Sequence, residues 1–293
     1  MTEVVTAENV TPTPNVLDAI AQVADWRKEL EQSIAALDQE ISRLKEEARR
    51  RASLAQETVP TLQRLTNQGW ECHWLELYEK SKSEIERFSG PEVLAGFARL
   101  EEAAAQQADD KLRRFPQRLH DVCRDFPPDP ESRHPKYTFE DGFFTLEIDS
   151  RRRMSKLTDH GGVIAAIPAD VEPLAERIHQ ERKRVFDRPL DAEALFRQVR
   201  EGYNTARADM DAAVRSDSVP ILSVVKHIRK AVKGFRLDEF IIDLSRAAAK
   251  RDLIVGGERM EFQHTRDTKD ALLLHGPNLR GFVGYIVFRK ETK

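Results

Sequence analysis

The chain has 293 residues, of which 33 % are charged, 40 % hydrophobic and 7 % aromatic, and its formal net charge is −3. This composition is typical of a soluble, helix-rich protein with small hydrophobic cores, and the slight acidic excess argues against polyanion binding over the whole surface. Two cysteines do not indicate a disulfide framework, and the sequence has neither a signal peptide nor an apolar run of membrane-spanning length, so we expect a cytoplasmic protein without a membrane partner.

Residues 1–14, rich in Thr, Pro and Glu, predict a disordered leader. A capping pattern at Asn15 and Asp18 then predicts the start of a helix that runs from about Val16 to Ala55. Within it, apolar residues repeat over five heptads at a spacing of three and four, which is typical of a helix packed along a partner helix. Position a holds Ile20, Arg27, Ile34, Ile41 and Ala48, and position d holds Val23, Leu30, Leu37, Leu44 and Arg51.

These heptads favour a parallel two-stranded coiled coil, because Ile predominates at position a and Leu at position d. Glu40 at position g could pair with Lys45 at position e of a second copy, while Arg27 would cost stability and help to fix the register. The sequence therefore predicts a homodimer with the oligomerisation residues Ile20, Val23, Leu30, Ile34, Leu37, Ile41 and Leu44. The alternative is an antiparallel hairpin, in which this helix packs against a helix over residues 91–125 of the same chain.

A helical domain is predicted over residues 15–126. It contains a helix from Glu71 to Phe88 and a further helix that starts at Pro91 and is kinked at Pro116. Residues 127–136 are rich in proline and predict a linker and the main domain boundary. Beyond them the apolar period changes from about 3.6 to 2, and Asp141-Gly142 between two alternating segments predicts a central β-hairpin.

The rest of the sequence predicts an α+β domain over residues 137–293, so the expected fold class is α+β and mostly α. Helices over residues 170–186, 191–207, 219–232 and 237–250 precede strands over residues 259–264, 271–274 and 281–289. From about residue 190 this order is similar in outline to a winged helix, in which the third helix lies in a major groove and the wing meets the DNA backbone.

Positive charge is concentrated in residues 151–236, which carry 18 Lys/Arg and 12 Asp/Glu. A local basic region can bind phosphates even in an acidic chain. The candidate nucleic-acid contacts are Arg151, Arg152, Arg153, Lys226, Arg229, Lys230, Lys233, Arg246, Lys250 and Arg280. The alternative is that these residues solvate the surface and protect a strand end.

No catalytic motif is evident, so we expect neither an enzyme nor a cofactor or metal. Asp141, Glu147 and Asp149 lie beside paired strands as the acids of restriction-type nucleases do, but the lysine of that pattern is missing. His160-Gly161-Gly162 resembles the oxyanion loop of esterases, yet no Gly-x-Ser-x-Gly motif supplies a nucleophile.

The predicted function is therefore that of a non-enzymatic accessory or scaffold protein in a multi-component, bacterial-type assembly. The coiled coil would set the oligomeric state, and the C-terminal half would recognise a protein or nucleic acid. The alternative is a DNA-binding regulator or DNA-maintenance factor that uses the winged-helix-like end, and a metal-dependent nuclease is the third hypothesis.

Overall fold

The computed structural model describes residues 14–211, 216–250, 254–276 and 281–290. The fold is mixed α+β, as predicted, with two antiparallel sheets in its C-terminal half. The helices are α1 (Pro14–Ser53), α2 (Val59–Gln68), α3 (Glu71–Phe88), α4 (Pro91–Arg113), α5 (Phe115–Val122), α6 (Val171–Phe186), α7 (Ala192–Ala208), α8 (Ile221–Ala231) and α9 (Leu237–Lys250). The strands are β1 (Lys136–Phe139), β2 (Phe144–Asp149), β3 (Met154–Asp159), β4 (Gly162–Pro168), β5 (Val219–Pro220), β6 (Ile254–Val255), β7 (Glu258–Thr265), β8 (Leu272–Leu274) and β9 (Gly281–Lys290).

The chain divides into two compact units. Unit 1 comprises residues 1–67 and 77–98, and unit 2 comprises residues 68–76 and 99–293. Within the described ranges, no helix combines the length and the apolar character that crossing a membrane requires.

Unit 1 has a small core near the C-terminal end of α1. This helix continues through a π-helical turn into α2, and the buried hydrophobic side chains among the described residues of the unit are Leu54, Leu62, Leu65, Tyr78 and Ile85. The Tyr78 ring stacks on Phe97 with 5.6 Å between the ring centroids. Because this core begins at Leu54, most of the length of α1 contributes no buried side chain to it.

The predicted kink at Pro116 is instead a break between two helices. α4 ends at Arg113 and α5 starts at Phe115, and Arg114 between them has φ −97° and ψ 9°. Pro116 lies in the first turn of α5, where a missing N–H has no intrahelical acceptor to lose. The proline therefore starts a new helix rather than bending a continuous one.

The first sheet of unit 2 is an antiparallel meander in the order β1-β2-β3-β4. Its first two strands form the predicted hairpin, but Phe139 pairs with Phe144, so a four-residue loop replaces a two-residue turn. Three residues of this loop, Glu140, Asp141 and Gly142, have positive φ. The inner face of the sheet carries buried aromatic and aliphatic side chains that belong to the main core of unit 2.

The segment predicted as a linker, residues 127–136, lies inside unit 2 and runs along the free edge of β1. Asp129 N–H donates to the Thr138 carbonyl at 2.8 Å, and Thr138 N–H donates to Ser132 Oγ at 2.9 Å. These bonds give β1 partners on the side away from β2.

The second sheet has the order β5-β9-β7-β6, and β8 also pairs with β9. Helices α7 and α8 approach each other closely at Gly202, where a Cβ atom would lie 2.7 Å from Ile228 Cγ1. The adjoining helix α9 carries buried side chains on several sides, among them Phe240, Ile242 and Leu244. These contacts place β7, β9 and α7–α9 around one part of the unit 2 core.

Candidate functional site

The most distinctive surface is an apolar stripe on α1, which we define as the described heptad residues Val23, Leu30, Ile34, Leu37, Ile41 and Leu44. Their exposed fractions range from 46 to 63 %. The side chain of Ile20, the seventh predicted oligomerisation residue, lies outside the described part of the structure. A contiguous exposed stripe of aliphatic side chains is typical of an interaction surface.

Both arrangements predicted for this helix, the parallel dimer and the hairpin with a helix over residues 91–125 of the same chain, would bury the stripe, and both stay predictions. Arg27, the polar residue at position a, is also exposed and forms an ion pair with Glu31 at 3.0 Å on its own helix. Near its C-terminal end, α1 forms an ion pair with α3 of the same unit, in which Arg87 Nη2 lies 3.2 Å from Glu47 Oε2.

Two of the predicted arginines, Arg151 and Arg152, are exposed and line a shallow groove of about 1150 Å³ on the outward face of the first sheet. Arg153 is instead paired with Asp109 at 3.0 Å. Two of the three nuclease-type acids, Glu147 and Asp149, line the same groove, whereas Asp141 lies in the loop between β1 and β2. Glu147 lies 3.9 Å from Lys136, and Asp149 lies 3.8 Å from Arg152. Within the described ranges, no cluster of three or more His, Cys, Asp and Glu residues has metal-site geometry.

A second basic group lies on α8 and in the turn after it. Lys226, Arg229, Lys230 and Lys233 are exposed, and none of them forms an ion pair with another residue that the structure describes. The remaining predicted contacts do not join this group. Arg246 donates to the Arg188 carbonyl at 2.8 Å, while Arg280 and the side chain of Lys250 are outside the described residues.

Helix α6 and the residues directly after it cover the polar face of α9, the helix that we expected to face a DNA groove. Arg184 forms ion pairs with Asp238 and Glu239, and Arg188 forms one with Asp243. These carboxylates are between 5 and 23 % exposed. Removing one partner from such a pair leaves a half-buried charge unpaired, so α6 is held firmly on α9.

A polar cavity of about 480 Å³ lies where β4, α6, α8 and the start of α9 meet. We call it the arginine cavity, because Arg177 on α6, Arg229 on α8 and Arg236 before α9 line it. Arg177 Nε is buried and has no hydrogen-bond acceptor. The acids of the lining are Asp159, Glu181 and Asp238, and its main-chain wall is Gly161–Ile164.

The acids of the arginine cavity are already satisfied by neighbouring groups. Glu181 accepts from Arg177 at 2.8 Å and from Arg184 at 2.8 Å. Burial, followed by the charge of Asp238, raises the pKa of the Asp159 carboxyl, while hydrogen bonds from the Gly161 and Gly162 N–H groups act to lower it. Burial also acts to raise the pKa of Asp238, but hydrogen bonds from Arg184 and Arg236 outweigh it and hold that pKa below the usual value.

The sequence did not identify the arginine cavity as a site. Arg177 and Glu181 have the i, i+4 spacing of an ordinary solvated pair on a helix surface, and Arg229 was grouped with the lysines of α8. The available signals were Gly161-Gly162 and the uncharged sequence of β4. These two features indicate a site only when α6, α8 and α9 are folded around them.

Comparisons with known proteins give no further assignment: no family model, no curated protein and no solved structure matches the chain.

Proposed function

We propose that the chain is a non-enzymatic, cytoplasmic scaffold protein. It self-associates through α1 as a parallel two-stranded coiled coil and recognises a partner protein with its C-terminal half, within a multi-component assembly. The observation that carries this proposal is the apolar stripe: six aliphatic side chains at heptad spacing, 46 to 63 % exposed, on a helix of 40 residues.

A second copy of the chain is the occupant that fits the stripe best. Ile at position a and Leu at position d favour two parallel strands, and they pack into each other as knobs and holes. Glu40 and Lys45 have the g-to-e spacing that brings opposite charges together between parallel chains, and both are exposed on α1. A self-complementary surface of this kind closes on itself as a symmetric dimer.

The C-terminal half has the element order α7, β5, α8, α9, β7 and β9, with β9 between β5 and β7. This order supports a winged-helix-like module. Because α6 covers the polar face of α9, this face is not open to a major groove, which favours recognition of a protein by the module.

The exposed cations of α8 and its following turn support DNA binding as a second candidate function. Lys226, Arg229, Lys230 and Lys233 are free of acidic partners among the described residues and could contact phosphates. The test is titration of duplex binding with salt, since each phosphate contact contributes about 0.9 to the slope of log affinity against log salt. Absence of binding at about 50 mM salt would leave only protein recognition.

Light scattering after size exclusion tests the proposed function on the full chain. The monomer mass is 33.6 kDa. The proposal predicts twice this mass at micromolar concentration. A monomer over the whole accessible concentration range would contradict it, because the apolar stripe would then remain open in solution.

A further inference from the structure

The first sheet protects only one of its two edges. At the β1 edge, the preceding segment supplies main-chain partners: Lys136 N–H donates to the Arg133 carbonyl at 2.7 Å and Asp129 N–H donates to the Thr138 carbonyl at 2.8 Å. At the other edge, β4 pairs with β3 and has no strand partner on its far side in the described parts of the chain. Strand edges left in this state are templates for pairing with another chain.

The composition of β4 lacks the usual protection of an edge. Gly162–Pro168 has seven residues and none of them is charged, and proline stands only at the last position. The other outer strands are much shorter, since β5 and β6 have two residues each and β8 has three. Natural proteins keep edge strands short or charged to prevent pairing, so a long uncharged edge indicates that pairing is used.

The arginine cavity lies at the first half of this edge. Gly162, Val163 and Ile164 line it together with Arg177 and Arg229. Arg229 has no ion pair in the described structure, and Arg177 Nε has no acceptor. The carboxylates of Glu181 and Asp238 already form ion pairs with Arg184. Arg177 and Arg229 can therefore donate to one additional anionic acceptor.

We infer that β4 binds an extended, acidic segment of the partner protein, which adds to the sheet as a fifth strand. The main chain of the segment pairs with the free edge of β4, and an Asp or Glu side chain enters the arginine cavity between Arg177 and Arg229. Main-chain pairing gives the complex its affinity, and the carboxylate sets the position of the segment along the edge. This inference rests on the proposed recognition of a protein partner by the C-terminal half, and it specifies the chemistry of the segment by which that partner binds.

Selection from a displayed library of random peptides tests this inference on the full chain, with peptides of about nine residues, near the upper length of an ordinary strand. We expect the enriched peptides to contain acidic residues between β-branched or apolar ones. The strongest of them is then synthesised, its affinity is measured by fluorescence anisotropy, and its binding surface is mapped by hydrogen exchange. Protection from exchange is expected in β4.

The matched pair of variants is Arg229→Glu and Lys230→Glu, which make the same charge change at neighbouring exposed positions of α8. Only Arg229 lines the arginine cavity. We expect Arg229→Glu to weaken peptide binding at least about tenfold, since it replaces the cation that pairs with the peptide carboxylate by an anion that repels it, and Lys230→Glu to change it less than about twofold. Circular dichroism verifies that both variants fold.

Three outcomes would overturn the inference: no enrichment of acidic peptides, equal effects of the two variants, or peptide binding without protection of β4. If inorganic phosphate binds in the arginine cavity and the peptide does not, the cavity is a site for small anions and the inference is wrong. Light scattering gives the mass of each sample, and this mass distinguishes a failure of the inference from a failure of the proposed self-association. A dimer that binds no peptide would refute the inference alone, and a monomer that binds peptide would refute self-association alone.

Discussion

If α1 forms the proposed coiled coil, charges placed in the middle of the apolar stripe should separate its two chains. The double variant Ile34→Asp and Leu37→Asp changes one a and one d position of the same heptad. These side chains are 57 and 62 % exposed in the single chain, so their burial depends on the second copy. The variant therefore acts on the association and leaves the folded units largely intact.

The size of the effect follows from the exposed area. Complete burial of an Ile or Leu side chain contributes about 1.5–3 kcal/mol, so the exposed part of each of these two provides about 1–2 kcal/mol on association. Two substitutions in each of two helices remove about 4–8 kcal/mol, and four carboxylates facing one another add a desolvation and repulsion cost. A dimer with a Kd near 1 μM has only about 8 kcal/mol of binding free energy.

Sedimentation equilibrium measures this prediction over a wide concentration range, and we expect the double variant to be a monomer throughout. The control is Ala35→Asp with Ala36→Asp, which adds the same charges at the outward b and c positions of the same turn and should leave the dimer intact. Equal masses for the two double variants would show that the stripe is not the interface.

Three further results are expected. If the α8 surface contacts phosphate, changing Lys226, Lys230 and Lys233 to Glu should lower the slope of log affinity against log salt by about 3, measured by anisotropy with duplex DNA; an unchanged slope in the folded variant would exclude these lysines. Burial, followed by the charge of a neighbouring histidine, lowers the pKa of His160, so stability should fall as the pH drops below the ordinary value of 6.5; His160→Phe should reduce this loss in urea titrations, and an identical pH profile would contradict it. Gly202→Ala forces a methyl group against α8 and should cost about 1–3 kcal/mol in urea unfolding, whereas an unchanged midpoint would mean that α7 and α8 separate easily.

Local patterns in the sequence were sufficient to predict most of the elements. The helix from Glu71 to Phe88 and the helix from Leu237 to Lys250 have the predicted bounds, because their apolar period and their flanking Gly and Pro residues act within a few turns. The break at Arg114 was missed because a proline in an apolar helical pattern either kinks a helix or starts a new one. Packing around Phe115 decides between these outcomes, and that residue is 1 % exposed.

The candidate sites also differ in whether a local sequence pattern predicts them. The exposed stripe on α1 was visible from sequence, since heptads depend on local spacing alone. The packing of α6 against the polar face of α9 could not be predicted from sequence, because Arg184 and Asp238 are 54 residues apart and neither stands out among the many charged residues. The arginine cavity combines residues from three helices and one strand, and no local pattern predicts such a meeting.

Disulfide cross-linking of Leu44→Cys tests whether two copies of α1 pair in parallel and in register. In a parallel, in-register coiled coil, residue 44 of one chain faces residue 44 of the other at a distance that a disulfide can span. The native Cys72 and Cys123 are 3 and 0 % exposed and do not compete. We expect a covalent dimer from Leu44→Cys under mild oxidation and none from Gln39→Cys, on the outward face of α1. Absence of the Leu44→Cys dimer, or equal linking at both positions, would contradict this pairing.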